Sequence, residues 1–235
     1  MLSRTLPPHL TQDDVTLLQT ARHPDPFSVL GITKVKGKSY FTAVLPAATS
    51  LSAKFGRKTV EIPSVEAGLF AGPVPNSKFT PELTATYPGG THSYADPYLM
   101  GPVLGEMDVH LLAEGTHRRL WDALGAHVME HEGVAGTHFA VWAPNAARVS
   151  VVGDFCSWDG RRFPMRSLGS SGVWEIFLPG IGDGDFYKYE IAPNEGGTHT
   201  KADPVGFGSQ HPPETASVVL DISGDGWKDA DWLEY

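Results

Sequence analysis

Apolar residues recur along this chain in short runs broken by glycine and proline. Gly136–Ala143, Ala147–Val152, Gly172–Leu178, Phe186–Ile191 and Ser217–Ile222 each read as a strand bounded by turn residues. In Phe186–Ile191 the alternation sets Tyr187, Tyr189 and Ile191 on one face and Phe186, Lys188 and Glu190 on the other. Ser39–Leu45, Lys58–Ile62, Gly68–Ala71 and Lys78–Thr86 form an earlier, weaker set. A helix is predicted over Thr11–Ala21, with Thr11 as N-cap, Asp13 and Asp14 in the first turn and Pro24 as a stop. Gly105–Leu120 has room for a short helical turn. Strands this short, with turn signals roughly every 8–12 residues, predict an all-β chain of immunoglobulin-like sandwiches.

A repeat divides the chain. Gly89-Gly90-Thr91-His92-Ser93-Tyr94-Ala95-Asp96-Pro97 returns as Gly196-Gly197-Thr198-His199-Thr200-Lys201-Ala202-Asp203-Pro204. Gly68-Leu69-Phe70 pairs with Gly172-Val173-Trp174, Phe41–Pro46 with Phe139–Pro144, and Leu30-Gly31 with Leu124-Gly125. Order is kept while the offset widens, as it would if the second copy had longer loops. The expected organisation is an N-terminal arm with the helix (1–24), a first sandwich (25–105), a linker (106–118), a second sandwich (119–224) and an aromatic tail (225–235). In that tail, Trp227, Trp232 and Tyr235 are poor solvent-facing residues and read as docking candidates.

Composition removes several classes of function. Asp plus Glu number 27 against 18 Lys plus Arg, for a formal net charge of −9. A surface of that sign does not suit general nucleic-acid binding. Hydrophobic residues at 41% and charged residues at 19% are compatible with a packed core, and 26 Gly with 19 Pro fit many turns. The single cysteine, Cys156, excludes an internal disulfide and a multi-thiolate metal site. No signal peptide and no long apolar run are visible, so a cytoplasmic location without membrane association is expected.

Catalytic and metal motifs fail on spacing. His127-Val128-Met129-Glu130-His131 spells H-x-x-E-H, a zinc pattern that needs a helix and a distant carboxylate; between Gly125 and Gly133 a strand end or hairpin is the stronger reading. Asp221–Gly226 opens like a calcium loop, but Trp232 stands where the bidentate glutamate belongs. No phosphate loop, no nucleophile elbow and no evident carboxylate pair occurs, and no cofactor or metal is expected. Sugar binding fares better, because a flat indole beside polar groups suits the apolar face of a pyranose. Trp158 lies in the turn-rich Gly153–Gly160 segment, as either an exposed platform or a ring folded over a sheet edge. Lys188 is either a hydroxyl ligand or a solvated strand lysine. Trp174 shares a face with Ile176 and Leu178, so core packing competes with glucan contact there. Trp142 faces either the far side of its sheet or a neighbouring domain.

Longer stretches carry a family resemblance. They are Asp25–Gly31, Asp96-Pro97-Tyr98 with Gly101-Pro102 and Glu106-Met107-Asp108, Glu114–His117, Gly136–Ala146, Val149–Phe155, Trp158–Arg162, Pro164-Met165-Arg166, Tyr187–Glu190, Lys201–Pro204 and Glu214–Ser217. Together they resemble the front of bacterial glycogen branching enzymes, most specifically from Asp96 to Leu220. The resemblance implies an N-terminal sandwich followed by a family 48 carbohydrate-binding module. A catalytic (β/α)₈ barrel absent from this chain, and a C-terminal β domain, would come next. It implies transfer of α-1,4-glucan segments to α-1,6 branch points by a retaining double displacement in that barrel. No catalytic residue can be assigned here, and this chain alone is expected to be inactive. The implied partners are α-glucan, through Trp158 and Lys188, and the barrel of the same enzyme. A second stacking tryptophan of related modules would fall near 194–200, where this chain has Asn-Glu-Gly-Gly-Thr-His-Thr. The alternatives are a stand-alone glucan-binding or regulatory module and the front of a related debranching enzyme or trehalohydrolase.

Overall fold

The computed structural model describes residues 6–78 and 80–224. The first half supplies β1 (Gly31–Val35), β2 (Lys38–Val44), β3 (Ser50–Phe55), β4 (Lys58–Ile62), β5 (Ser64–Glu66), β6 (Leu69–Val74), β7 (Glu82–Tyr87) and β8 (Gly90–Tyr94). They form two four-stranded antiparallel sheets, in the orders β1-β2-β6-β5 and β4-β3-β7-β8. Phe41 and Phe70 of one sheet meet Leu51, Ala53 and Leu83 of the other in a closed core.

The second half supplies β9 (Gly125–His131), β10 (Val134–Trp142), β11 (Ala146–Gly153), β12 (Arg166–Ser167), β13 (Val173–Pro179), β14 (Phe186–Pro193), β15 (His199–Lys201), β16 (Gly208–Ser209) and β17 (Ser217–Val218). One sheet runs β12-β13-β10-β9 and the other β11-β14-β17-β16, with β15 also paired to β14. Phe139, Val141, Ile176 and Leu178 face Val149, Val151, Tyr187 and Tyr189 across this pair. The same cluster takes in Leu30, Val44 and Tyr98 from the first half and Val15 and Leu18 from the N-terminal helix, so apolar packing is continuous between the halves.

That helix, α1 (Gln12–Gln19), starts as its sequence predicts: Thr11 accepts the Asp14 N–H and Asp14 accepts the Thr11 N–H, a capping box. The segment between the halves forms α2 (Glu106–Glu114) and α3 (Leu120–Ala123). Leu112 and Ala123 cover Ala140 and Val173 on the outer side of the β10–β13 sheet.

The repeated Asp-Pro serves one local purpose twice. Asp96 accepts the Tyr98 N–H at 3.1 Å, and Asp203 accepts the Val205 N–H at 2.8 Å. Each carboxylate caps the backbone two residues on, the turn that Asp makes readily. Asp203 also accepts hydrogen bonds from Tyr187 at 2.6 Å and Tyr189 at 3.2 Å, so it anchors its turn to the core.

A buried carboxylate fastens the connecting segment to the second half. Glu175 Oε2 lies 3.0 Å from His138 Nε2 and accepts the Leu104 N–H at 3.0 Å and the Val103 N–H at 3.2 Å. Its other oxygen is 3.5 Å from Arg166, which donates to the Met100 carbonyl and lies over the Phe27 ring. Glu132 accepts the Gly101 N–H, and His131 Nε2 sits 3.2 Å from the Gly101 carbonyl. Residues 100–104 are therefore held at successive backbone groups by side chains of the second half.

The H-x-x-E-H segment lies on β9, a strand paired along its length with β10. His127 contacts the Leu124 carbonyl and His131 the Gly101 carbonyl. Among the described residues no group of His, Cys, Asp or Glu is arranged to hold a metal ion. At Asp221 the carboxylate takes the Ser223 N–H and hydroxyl, a local turn. Trp227, Trp232 and Tyr235 lie outside the described residues.

Candidate functional site

The loop after β11 gathers the candidate chemistry. Gly153 ends the strand where only glycine fits, because a Cβ there would sit 2.3 Å from the Phe186 carbonyl oxygen. The chain then turns tightly, and Ser157 (φ 53°) and Trp158 (φ 59°) are both left-handed. Two consecutive non-glycine residues in that region are costly, roughly 1–3 kcal/mol each, and persist only where surrounding contacts enforce them. Here the Trp158 N–H bonds to the Gly153 carbonyl at 2.9 Å, and the indole N–H to Asp154 Oδ1 at 2.8 Å. The indole is thus held in place while 39% of the residue stays exposed.

Polar groups surround it. Arg161 Nε donates to Asp159 Oδ1 at 2.9 Å, and its Nη2 reaches Oδ2. That hydrogen bond holds the Asp159 carboxyl below its ordinary range and raises the Arg161 guanidinium. Arg148 is buried and donates to Glu190 Oε1 at 2.7 Å; the Glu190 carboxylate packs against Gly160, so that a Cβ there would have to displace it. The ion pair ties the loop to the outer face of β11 and β14. An open groove of about 600 Å³ follows, with Trp158, Asp159, Arg161, Glu190, Arg148 and Thr198 among its walls. A pyranose on the indole would find carboxylate acceptors and guanidinium donors at its edge, the arrangement that orients a polyhydroxyl ligand.

The structure separates the other sequence candidates from Trp158. Lys188 lies on the Glu190 face of β14, but its ammonium donates to Thr215 at 2.7 Å and it does not line the groove. Trp174 is buried in the core, and its indole N–H donates to the Ala143 carbonyl, which favours the packing alternative over glucan contact. Its alternation with Ile176 and Leu178 accounts for that burial. Trp142 points away from the core and is 57% exposed. Sequence reasoning missed Arg148, Asp159, Arg161 and Glu190. Signals were there: Arg148 is a charged residue in an otherwise Val-rich strand, Asp159 and Arg161 lie in the Trp158–Arg162 stretch, and Glu190 shares a strand face with Lys188.

Comparison with known proteins gives a consistent picture. Residues 11–98 match the family described as alpha-1,4-glucan branching enzyme GlgB, N-terminal domain, and residues 123–206 match carbohydrate-binding module 48 (isoamylase N-terminal domain). The 1,4-alpha-glucan branching enzyme GlgB of Roseobacter denitrificans is 53% identical over 234 residues, covering 96% of this chain and 32% of that protein. The enzyme of Paramagnetospirillum magneticum is 46% identical over 226 residues, covering 95% of this chain and 30% of that protein. Branching enzyme 2 of Streptomyces coelicolor is 47% identical over 232 residues, covering 97% and 31%. The chain thus spans about a third of the length of the curated relatives it matches. A solved pullulanase from Bacillus acidopullulyticus overlaps 93% of this chain and 31% of that chain, at 17% identity and a TM-score of 0.37, too slight an overlap to bear on function. The chain is similar along nearly its whole length to the N-terminal region of 1,4-α-glucan branching enzymes, with a match to their N-terminal domain over residues 11–98 followed by a match to carbohydrate-binding module 48 over residues 123–206.

Proposed function

We propose that these residues engage α-1,4-glucan for a branching enzyme, orienting the chain for an α-1,4 to α-1,6 transfer carried out in a catalytic barrel and bracing that barrel. The observation that carries this reading is Trp158, an exposed indole fixed by a doubly left-handed loop beside paired carboxylate and guanidinium groups. A strained loop that displays an indole to solvent has no evident value to stability, and such strain tends to cluster at binding sites. We assign residues 25–105 to the first sandwich and 119–224 to the glucan-binding one, with 1–24 as an arm, 106–118 as the linker and 225–235 as the segment leading on. Trp121 and Trp142, both exposed, add apolar surface available to a neighbouring domain.

Affinity electrophoresis in glycogen-containing gels tests the site. Trp158→Ala is expected to weaken retention about 10- to 30-fold, the size of a tryptophan hot spot. Lys188→Ala is expected to change retention less than about threefold, because its ammonium is engaged by Thr215 and lies outside the groove. Equal retention of Trp158→Ala and the parent would remove Trp158 from the site.

A further inference from the structure

On the other side of the Trp158 loop lies a second cleft, of about 490 Å³, between the two halves of the chain. Its volume falls in the range of small-ligand sites. The first half contributes Tyr87, His92 and Tyr94 from the β7–β8 hairpin; the second contributes Asp159, Arg161 and Arg162. Ser157, Asp159 and Arg161 line both this cleft and the Trp158 groove, so the two are contiguous around one loop. We propose that the cleft is a second glucan-contacting site, and that one α-1,4-glucan chain runs from Trp158 across Asp159 and Arg161 to the hairpin rings. This rests on the glucan reading of Trp158 and extends it to the first sandwich.

The chemistry of the lining favours a neutral polyhydroxyl ligand over an anion. Arg161 is already bidentate on Asp159. Arg162 donates to the Val44 carbonyl, and its guanidinium carbon lies 5.1 Å from the Tyr94 ring centroid and 4.9 Å from that of Phe163. Both guanidinium groups are committed to protein partners, which leaves little unbalanced charge for phosphate or carboxylate. What the cleft offers instead is aromatic surface and hydrogen-bonding edges. Tyr87 is half-buried, and the exposed His92 ring lies 6.0 Å from it at an interplanar angle of 56°. Two rings set at an angle beside fixed donors and acceptors suit successive units of a curved glucan better than one flat ligand. The cleft is held open by contacts made for folding: Arg162 bridges to Val44, and Tyr98 donates to the Arg162 and Pro164 carbonyls.

The test is a titration of the full chain with maltotriose and with maltoheptaose, read by nuclear magnetic resonance at the Trp158 indole and at the amides of residues 87–94. The expected result is that both sugars shift the Trp158 signal and only maltoheptaose shifts the hairpin. In the double variant Tyr87→Ala, His92→Ala, maltoheptaose affinity falls about three- to tenfold, as loss of ring contacts predicts, with maltotriose affinity unchanged. A shifting Trp158 signal with a silent hairpin and unchanged maltoheptaose affinity would overturn the second cleft and leave the glucan reading standing. If neither sugar shifts either region, the glucan reading fails and the cleft with it. Should the double variant not fold, the shift map of the parent decides between these outcomes.

Discussion

Glu175→Ala is expected to lower the unfolding free energy by about 3–5 kcal/mol, measured as a shift of the urea midpoint at constant slope. The glutamate is 2% exposed and serves His138, Arg166 and two backbone N–H groups. Alanine leaves those N–H groups without their acceptor, and buried donors without partners are the costly case. Glu175→Gln keeps an acceptor and most of the volume, so a smaller loss of about 1–3 kcal/mol is expected. A loss below about 1 kcal/mol for the alanine variant would mean that residues 100–104 are not held by this network. Protonation should act in the same direction. Burial alone pushes the Glu175 carboxyl up, but hydrogen bonds from His138 and Leu104 and the nearby charges outweigh it and hold it below its ordinary range. Burial holds His138 below its ordinary value of 6.5. Both contributions are present at neutral pH. They fade as pH falls, that of His138 from about its unfolded value and that of Glu175 further into acid.

Asp96 has the opposite sign. Burial raises its carboxyl to about 6 from 3.8, against the opposing pull of the Tyr98 N–H and Arg162. The folded chain therefore holds a proton there that the unfolded chain has released, and the protonated form stabilises most below about pH 4. The contribution is lost as pH rises through about 6. In the Asp96→Asn variant the amide cannot ionise, yet it keeps an acceptor for the Tyr98 N–H. The stability of Asp96→Asn relative to the parent should thus rise by about 2 kcal/mol between about pH 4 and pH 7, read from parallel urea unfolding curves. A difference independent of pH would show that Asp96 ionises as freely in the folded chain as in the unfolded one. The change with pH, not the absolute difference, is the diagnostic, because loss of the Asp96 Oδ2 environment adds a constant to every point.

These two residues also mark how far the sequence could be read. Asp96 and Asp203 stand out in the repeat, and each caps a local turn, which sequence can announce because an Asp-Pro turn needs only neighbours in the chain. Strands that face the core on alternate residues were equally legible: β14 sets Tyr187 and Tyr189 inward, as its pattern requires. The strands missed lie mostly at sheet edges. β8 (Gly90–Tyr94) and β15 (His199–Lys201) are polar along their length, so neither alternates clearly, whereas β9 was legible as a strand end or hairpin from the glycines that flank it. The burial of Trp174 and the exposure of Trp158 follow from one being on a strand face and the other in a glycine-rich turn. The partners that shape the site do not follow from local pattern at all. Arg148 meets Glu190 across 42 residues, Lys188 meets Thr215 across 27, and Arg162 reaches Val44 across 118. Contacts at such separations have no periodicity to announce them; the first braces the Trp158 groove, the second occupies Lys188 away from it, and the third spans the two halves beside the inter-half cleft.

Whether the loop indole binds glucan is decided by calorimetric titration of this chain and its Trp158→Ala variant with maltoheptaose. Saturable binding by the parent is expected, with an affinity about 10- to 30-fold weaker in the variant. Equal affinities in the two, or no binding by the parent, would contradict it.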